Sequence, residues 1–286
     1  VFQDMAGGLY RISLNDGHLI WKSGKSHTDS RFNSTWSTGG AVVHDGKVFV
    51  VSNAGGTDPI GDFNGLLHVY NVEDGRMLWE RTLPYPANQA VTVGRSANNN
   101  RVLVVIGVGS NPGFPVASYL VEHRGWPSQG WPAYFTTAQM HKLSLWMPWL
   151  FAPKSGVAMI AFDAATGEQQ WRHELEPLQT PAAAGDTENL FERVTGMMSG
   201  SNMYNDAYCL PDSCAQPVMT TDGVVYTGWQ DGKIYAIHDA NHDGIIDSSA
   251  EVSKFDFGVG FQSSIGIADG MMAVAPCGGG LYVYSF

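Results

Sequence analysis

The chain has 286 residues, 44% hydrophobic and 12% aromatic, and its Lys+Arg 16 against Asp+Glu 27 give a formal charge of −11. That length can bury a large core, while the acidic balance argues against a nucleic-acid partner, which needs a concentrated basic surface. No apolar run approaches the roughly 18–20 residues of a membrane-spanning helix.

The start, Val1-Phe2-Gln3-Asp4, is neither basic nor followed by the apolar core of a signal peptide. Val1 to Tyr10 parallels Val225 to Tyr235, the end of one strand, a turn and the start of the next. Residue 1 is therefore expected inside a strand, and the sequence is expected to be part of a longer protein. Leu9 to Trp21 (LYRISLNDGHLIW) reads as a strand, a turn and a second strand ending on tryptophan. Asn33-Ser34-Thr35 is a glycosylation sequon, relevant in a eukaryotic secretory protein. Ala41 to Val51 holds two strands about the His44-Asp45-Gly46 turn, and an elongated turn leads to a second motif, Leu67 to Trp79 (LHVYNVEDGRMLW). Another strand pair turns at Asn98-Asn99-Asn100, with Val102 to Ile106 as a continuous buried run. An irregular insertion, about 111–155, precedes the third motif, Met159 to Trp171 (MIAFDAATGEQQW). A fourth unit turns at Asp222-Gly223 and a fifth at Asp269-Gly270.

In all three motifs the glycine (Gly17, Gly75, Gly167) stands four residues before the tryptophan. From Gly223 to Gly270 is 47 residues, close to the roughly 40–50 of a four-stranded propeller blade. Such a blade cannot bury its faces alone, so blades pack radially about an axis. The expected fold is all-β: a single β-propeller domain over 1–286, of four-stranded blades, with five radial positions and an incomplete ring.

The frame A-x-D-A-x-T-G-x-x-x-W, met by Ala161, Asp163, Ala164, Thr166, Gly167 and Trp171, resembles the repeat of pyrroloquinoline-quinone-type propellers. That superfamily includes the quinoprotein alcohol dehydrogenases and the outer-membrane assembly lipoprotein propeller. The resemblance implies that Trp21, Trp79 and Trp171 pack between neighbouring blades. The fourth blade departs from the pattern, with Phe255 or Phe257 as the expected substitute. The repeat is specific for fold and not for function, because it occurs in enzymes and in scaffolds alike.

Three stretches could carry chemistry. Asp239 to Asp247 reads D-x-N-x-D-G-x-x-D, the front of an EF-hand-type calcium loop. Asp239, Asn241, Asp243 and Asp247 supply side-chain oxygens and Ile245 a carbonyl. Position 12 is Ala250, so Glu251 is the candidate closing carboxylate. A turn rich in Asp and Asn without an ion is the alternative. The second stretch is the insertion, where Trp126, Trp131, Trp146 and Trp149 mark a partner surface or a lid, or else a satellite core, and where a helix is predicted through Thr136 to Leu145. The third is Met197 to Cys214, where CLPDSC suggests a short Cys209–Cys214 disulfide, with reduced thiols as the alternative. The nine histidines are scattered without ligand spacing.

The quinoprotein resemblance implies a quinone with calcium near the propeller axis and an aspartate base. Here no motif fixes a quinone ligand set or a catalytic residue, though Asn205 and Asp206 lie in the third stretch. Adjacent cysteines and a CxxCH haem motif are absent from the sequence. The expected function is a non-catalytic scaffolding propeller that binds partner proteins in an extracytoplasmic setting. The alternative is a dehydrogenase of alcohols or sugars dependent on pyrroloquinoline quinone and calcium.

Overall fold

In a computed structural model, residues 1–24, 39–53, 64–96, 100–109, 156–177, 183–185, 214–247 and 250–285 are described. Their regular elements are strands, grouped into five antiparallel sheets in which sequential strands are neighbours. The first sheet holds β1 (Phe2–Gln3), β2 (Gly8–Ile12) and β3 (Leu19–Gly24). The second holds β4 (Val42–His44), β5 (Lys47–Asn53), β6 (Gly65–Asn71) and β7 (Met77–Thr82). The third holds β8 (Thr92–Arg95), β9 (Val102–Gly109), β10 (Val157–Asp163) and β11 (Gln169–Glu174). The fourth holds β12 (Val218–Met219), β13 (Val225–Gly228), β14 (Lys233–Ile237) and β15 (Val252–Asp256). The fifth holds β16 (Gly266–Ala268), β17 (Met271–Val274) and β18 (Tyr282–Ser285).

Each sheet is a propeller blade. First strands of successive blades lie side by side, β4 by β8 and β8 by β12, with the Thr92 hydroxyl donating to the Pro217 carbonyl. Side chains alternate between the two faces of a strand, so one strand serves two interfaces. On β6, Leu67 and Val69 join the core shared with Val104, Ile106 and Ile160 of blade three. Tyr70 points the other way, into a cluster with Val48, Val50 and Leu9 of blade one. Met159 and Ala161 of blade three meet Tyr235 and Ile237 of blade four, and Ile234 of blade four meets Ile265 and Val274 of blade five.

The three tryptophans occupy one register position. Trp21 pairs with Arg11, Trp79 with Val69 and Trp171 with Ala161, each beside a shift in register. The turn glycines take φ +74, +72 and +70, a region that side chains with a Cβ rarely adopt. A Cβ on Gly75 would lie 2.8 Å from the Trp21 ring, and one on Gly167 would lie 2.7 Å from Trp79. Trp21 and Trp79 thus each rest on the turn glycine of the next blade. Polar bonds fasten the same spot. The Trp21 indole N–H donates to the Val72 carbonyl at 3.0 Å, Ser23 donates to the Gly75 carbonyl at 2.7 Å, and Arg81 donates to the carbonyls of Gly167 (2.6 Å) and Thr166 (2.9 Å).

Blade four departs from this scheme, but not by simple substitution. Ser253, opposite Ala236, holds the position equivalent to tryptophan. Phe257, four residues on, makes the apolar contact with blade five, its ring 5.5 Å from Phe261 and 4.9 Å from Tyr282.

Because the sheets are antiparallel meanders, connections alternate between two faces of the propeller. First-to-second and third-to-fourth strands join through short turns on one face, such as Asp45-Gly46 and Ala164 to Glu168. The other face receives the intervals 25–41, 54–64, 110–156 and 175–217. The aromatic insertion belongs to the third of these and lies outside the described residues, as does the helix predicted through Thr136 to Leu145. Among the described residues no helix is long and apolar enough to cross a membrane.

The docking scheme predicts unequal costs for one chemical change. Gly17 and Gly167 share a positive φ, but a Cβ on Gly17 meets nothing within 4 Å among the described residues. Gly17→Ala is expected to lose about 1 kcal/mol from backbone strain. Gly167→Ala is expected to lose about 1–3 kcal/mol more, because the Trp79 ring must move. Urea unfolding of both variants measures the difference, and equal losses would refute the scheme.

Candidate functional site

The turn between β14 and β15 is the one that carries the calcium-loop pattern. Its backbone is folded by its own side chains. Asn241 Oδ1 accepts the Asp243 N–H at 3.0 Å and Asp243 Oδ1 accepts the Ile245 N–H at 2.7 Å, two successive Asx turns. His242 and Gly244 take positive φ of 61° and 78°, which reverses the chain between them. Asp239 Oδ2 accepts the Gly244 N–H at 3.3 Å, while its Oδ1 is buried with no hydrogen-bond partner among the described residues. The Asn241 amide donates to Asp243 Oδ2 at 3.0 Å, so these two side chains lie together.

Glu251, the candidate closing carboxylate, is bound to the backbone of the loop. It is 6% exposed. Its Oε1 accepts the Ala240 N–H at 2.7 Å and the Asn241 N–H at 3.4 Å, and its Oε2 accepts the Asp247 N–H at 2.8 Å. The Asp247 amide, followed by those of Ala240 and Asn241, holds the Glu251 carboxyl below its ordinary value of 4.5. Glu251 is therefore the post about which the loop is wound.

The donor chemistry fits a hard cation: all oxygen, with Asp239 Oδ1 buried and without a hydrogen bond among the described residues. Asp239, Asn241, Asp243, the Ile245 carbonyl and Asp247 would hold it. As the side chains stand, no group of three or more His, Cys, Asp or Glu among the described residues is gathered as a metal cluster. Ile245 is 69% exposed, and its backbone bridges to Arg172 of blade three. Beside the loop, between blades three and four, lies a cavity of about 360 Å³ lined by Arg101, Glu168, Trp171, His238, Asp239 and His242.

The other sequence-level candidates fall differently. Trp126, Trp131, Trp146 and Trp149 lie outside the described residues, as do Asn33, Asn205, Asp206 and Cys209. The expected Cys209–Cys214 disulfide is corrected. Cys214 keeps its thiol, wholly buried, with its Cβ against Gly107 in the core between blades three and four, and Cys277 is the cysteine in a disulfide. Closeness in sequence was a poor guide, because Cys214 turns into the blade core. One constellation escaped the sequence reading altogether: Ser52, His68 and Glu80, which only strand register brings together.

Comparison with known proteins gives the class. The chain is a β-propeller, similar in fold to the europium-containing methanol dehydrogenase at TM-score 0.52 and 11% identity, with 96% of this chain and 50% of that one covered. More particularly, part of the chain is similar to one family of propellers. The family described as outer membrane protein assembly factor BamB matches residues 6–110. BamB from Moraxella catarrhalis aligns at TM-score 0.35 and 10% identity, covering 98% of this chain and 65% of that one. The quinohemoprotein alcohol dehydrogenase from Comamonas testosteroni aligns at 0.45 and 15%, covering 88% and 33%. The chain thus spans between 33% and 65% of the length of these solved structures. A comparison with curated proteins finds no match.

Two expectations follow. Glu251→Gln weakens the acceptor for three backbone amides, at a cost of about 1–3 kcal/mol at pH 7. A depressed carboxyl contributes stability above its ordinary value that is lost as pH falls through the lower folded value. The variant therefore loses this part of the acid transition, and unfolding curves from pH 7 to 3 that stay parallel to wild type would refute the assignment. For the cysteines, alkylation and peptide mapping should find Cys277 in a disulfide and Cys214 reactive only after unfolding. A Cys209–Cys214 peptide would contradict the pairing.

Proposed function

We propose that this propeller is a non-catalytic scaffold that binds partner proteins in an extracytoplasmic compartment, using the face opposite its short turns. The observation that carries the reading is topological. The longest connections, including the aromatic stretch 111–155, depart from that one face, while on the other face the turns at Gly75 and Gly167 are tied up in blade docking. Rigid platforms commonly leave recognition to the loops they hold. The match of residues 6–110 to an assembly-factor family supports the same reading. Trp126, Trp131, Trp146 and Trp149 are the proposed anchors, since tryptophan is enriched among interface hot spots.

Calcium in the loop from Asp239 to Asp247 is part of the proposal, as a brace. Bound there, the ion would neutralise carboxylates that otherwise repel and would fix the rim of blade four.

The dehydrogenase reading predicts different behaviour. Full-length protein given pyrroloquinoline quinone and Ca²⁺ should reduce no dye with alcohols or sugars if the chain is a scaffold; turnover would overturn the proposal. Trp146→Ala with Trp149→Ala should leave the melting temperature nearly unchanged while weakening association with the cognate partner. Loss of folding in that double variant would show that the rings are core. For the brace, chelator should lower the melting temperature of wild type and leave Asp239→Asn unaffected, and no shift with chelator would remove calcium from the account.

A further inference from the structure

Four turns converge where blade three meets blade four, and the cavity of about 360 Å³ lies among them. Ser96 and Arg101 flank the turn from β8 to β9, and Glu168 and Gln169 stand where the next turn enters β11. Gly223 comes from the turn between β12 and β13, and Asp239 and Gly244 from the long turn after β14. At the two earlier interfaces the turn glycine of the later blade lies against the tryptophan. Here Gly244 lies against the Gln170 carbonyl instead, and Trp171 borders open space.

The lining selects a class of ligand. Leu103 and Trp171 are its large apolar side chains, only 6% and 4% exposed, so an apolar molecule gains little and a ring has no face to stack on. Ser96 is 4% exposed. Its N–H goes to the Arg101 carbonyl at 2.9 Å, but its hydroxyl makes no hydrogen bond among the described residues, and a buried hydroxyl calls for a partner. Glu168, Asp239 and Asp243 set three carboxylates around the guanidinium of Arg101, which donates to Gln170 Oε1. An anion is therefore repelled. An ammonium ion cannot accept a hydrogen bond, so it leaves the donors of Arg101 and Gln169 unanswered. A hydroxyl both donates and accepts, and several on one small frame answer carboxylate, guanidinium, amide and serine together. Ligand sites run from about 300 to 1,000 Å³, and this cavity stands at the small end.

We propose that the cavity between blades three and four is a binding site for a small neutral polyol, one sugar ring in size. The Ser96 hydroxyl holds it at the buried end, and Arg101 and the exposed Glu168 and Gln169 hold it at the open one. Because the cavity is lined from both blades, the ligand binds the folded propeller alone and stabilises an interface that lacks the tryptophan-on-glycine contact. None of these four residues belongs to the loop proposed for calcium, so the two sites can be tested apart.

Calorimetric titration of the full chain with glucose, galactose and myo-inositol tests the site, with chelator present throughout so that no divalent cation takes part. Trimethylammonium and inorganic phosphate serve as charged probes. At least one polyol should bind, raise the melting temperature and shift the NMR signal of the Trp171 indole proton. Ser96→Ala and Glu168→Ala should each weaken that binding about tenfold. Should Ser96→Ala fail to fold, Glu168→Ala and Gln169→Ala, both at exposed positions, carry the test. No polyol binding with a dissociation constant below about 10 mM overturns the proposal. Binding that none of the variants weakens places the ligand elsewhere and overturns it too, as does binding of either charged probe in place of the polyols.

Discussion

A tryptophan laid against a glycine is the contact on which this structure depends. A four-stranded blade has two apolar faces and cannot bury either alone, so its neighbours must be held at a fixed distance and register. Trp21 on Gly75 and Trp79 on Gly167 set both. The glycine has to be where it is for two reasons at once. The turn needs its positive φ, and the ring needs the space that a Cβ would fill. The serine and arginine bonds to the carbonyls of the same turns add direction to a contact that is otherwise non-directional.

That arrangement makes the two faces of the propeller unequal. The turns at Gly75 and Gly167 are drawn into blade-to-blade docking, so their lengths are constrained. The opposite connections bear no such load and vary from the four residues between β1 and β2 to the interval 110–156. The turn from β14 to β15 is the exception on the docking face. Its extra length is wound around Glu251 and leaves Gly244 against the Gln170 carbonyl instead of against the Trp171 ring. The rim cavity and the orphaned Asp239 oxygen both arise where this one turn breaks the docking rule.

Buried polar groups also follow the repeat. Tyr10 in blade one donates to Asp4 at 2.8 Å, and Tyr235 in blade four donates to Asp231. Each aspartate also caps amides of the turn before its tyrosine's strand. His68 holds the matching strand position in blade two, but its partners are Ser52 and Glu80 on the flanking strands. A local clamp has there become a line of polar groups across the sheet.

The all-β class, the blade repeat and the equivalence of Trp21, Trp79 and Trp171 were legible from spacing, because a repeat that must dock on itself writes the same turn glycine and ring into each copy. The calcium-loop pattern was legible for the same reason, since Asx turns are local. What spacing could not show was anything decided by which strand lies opposite which. Register moved the blade-four docking position to Ser253 and passed its role to Phe257. Burial turned Cys214 into the core and left Cys277 in the disulfide, against the closeness of 209 and 214. That Glu251 accepts the backbone amides of its own loop was visible only in the fold. Ser52, His68 and Glu80 are separated by 16 and 12 residues, distances with no local meaning, and only the pairing of three strands makes them one group.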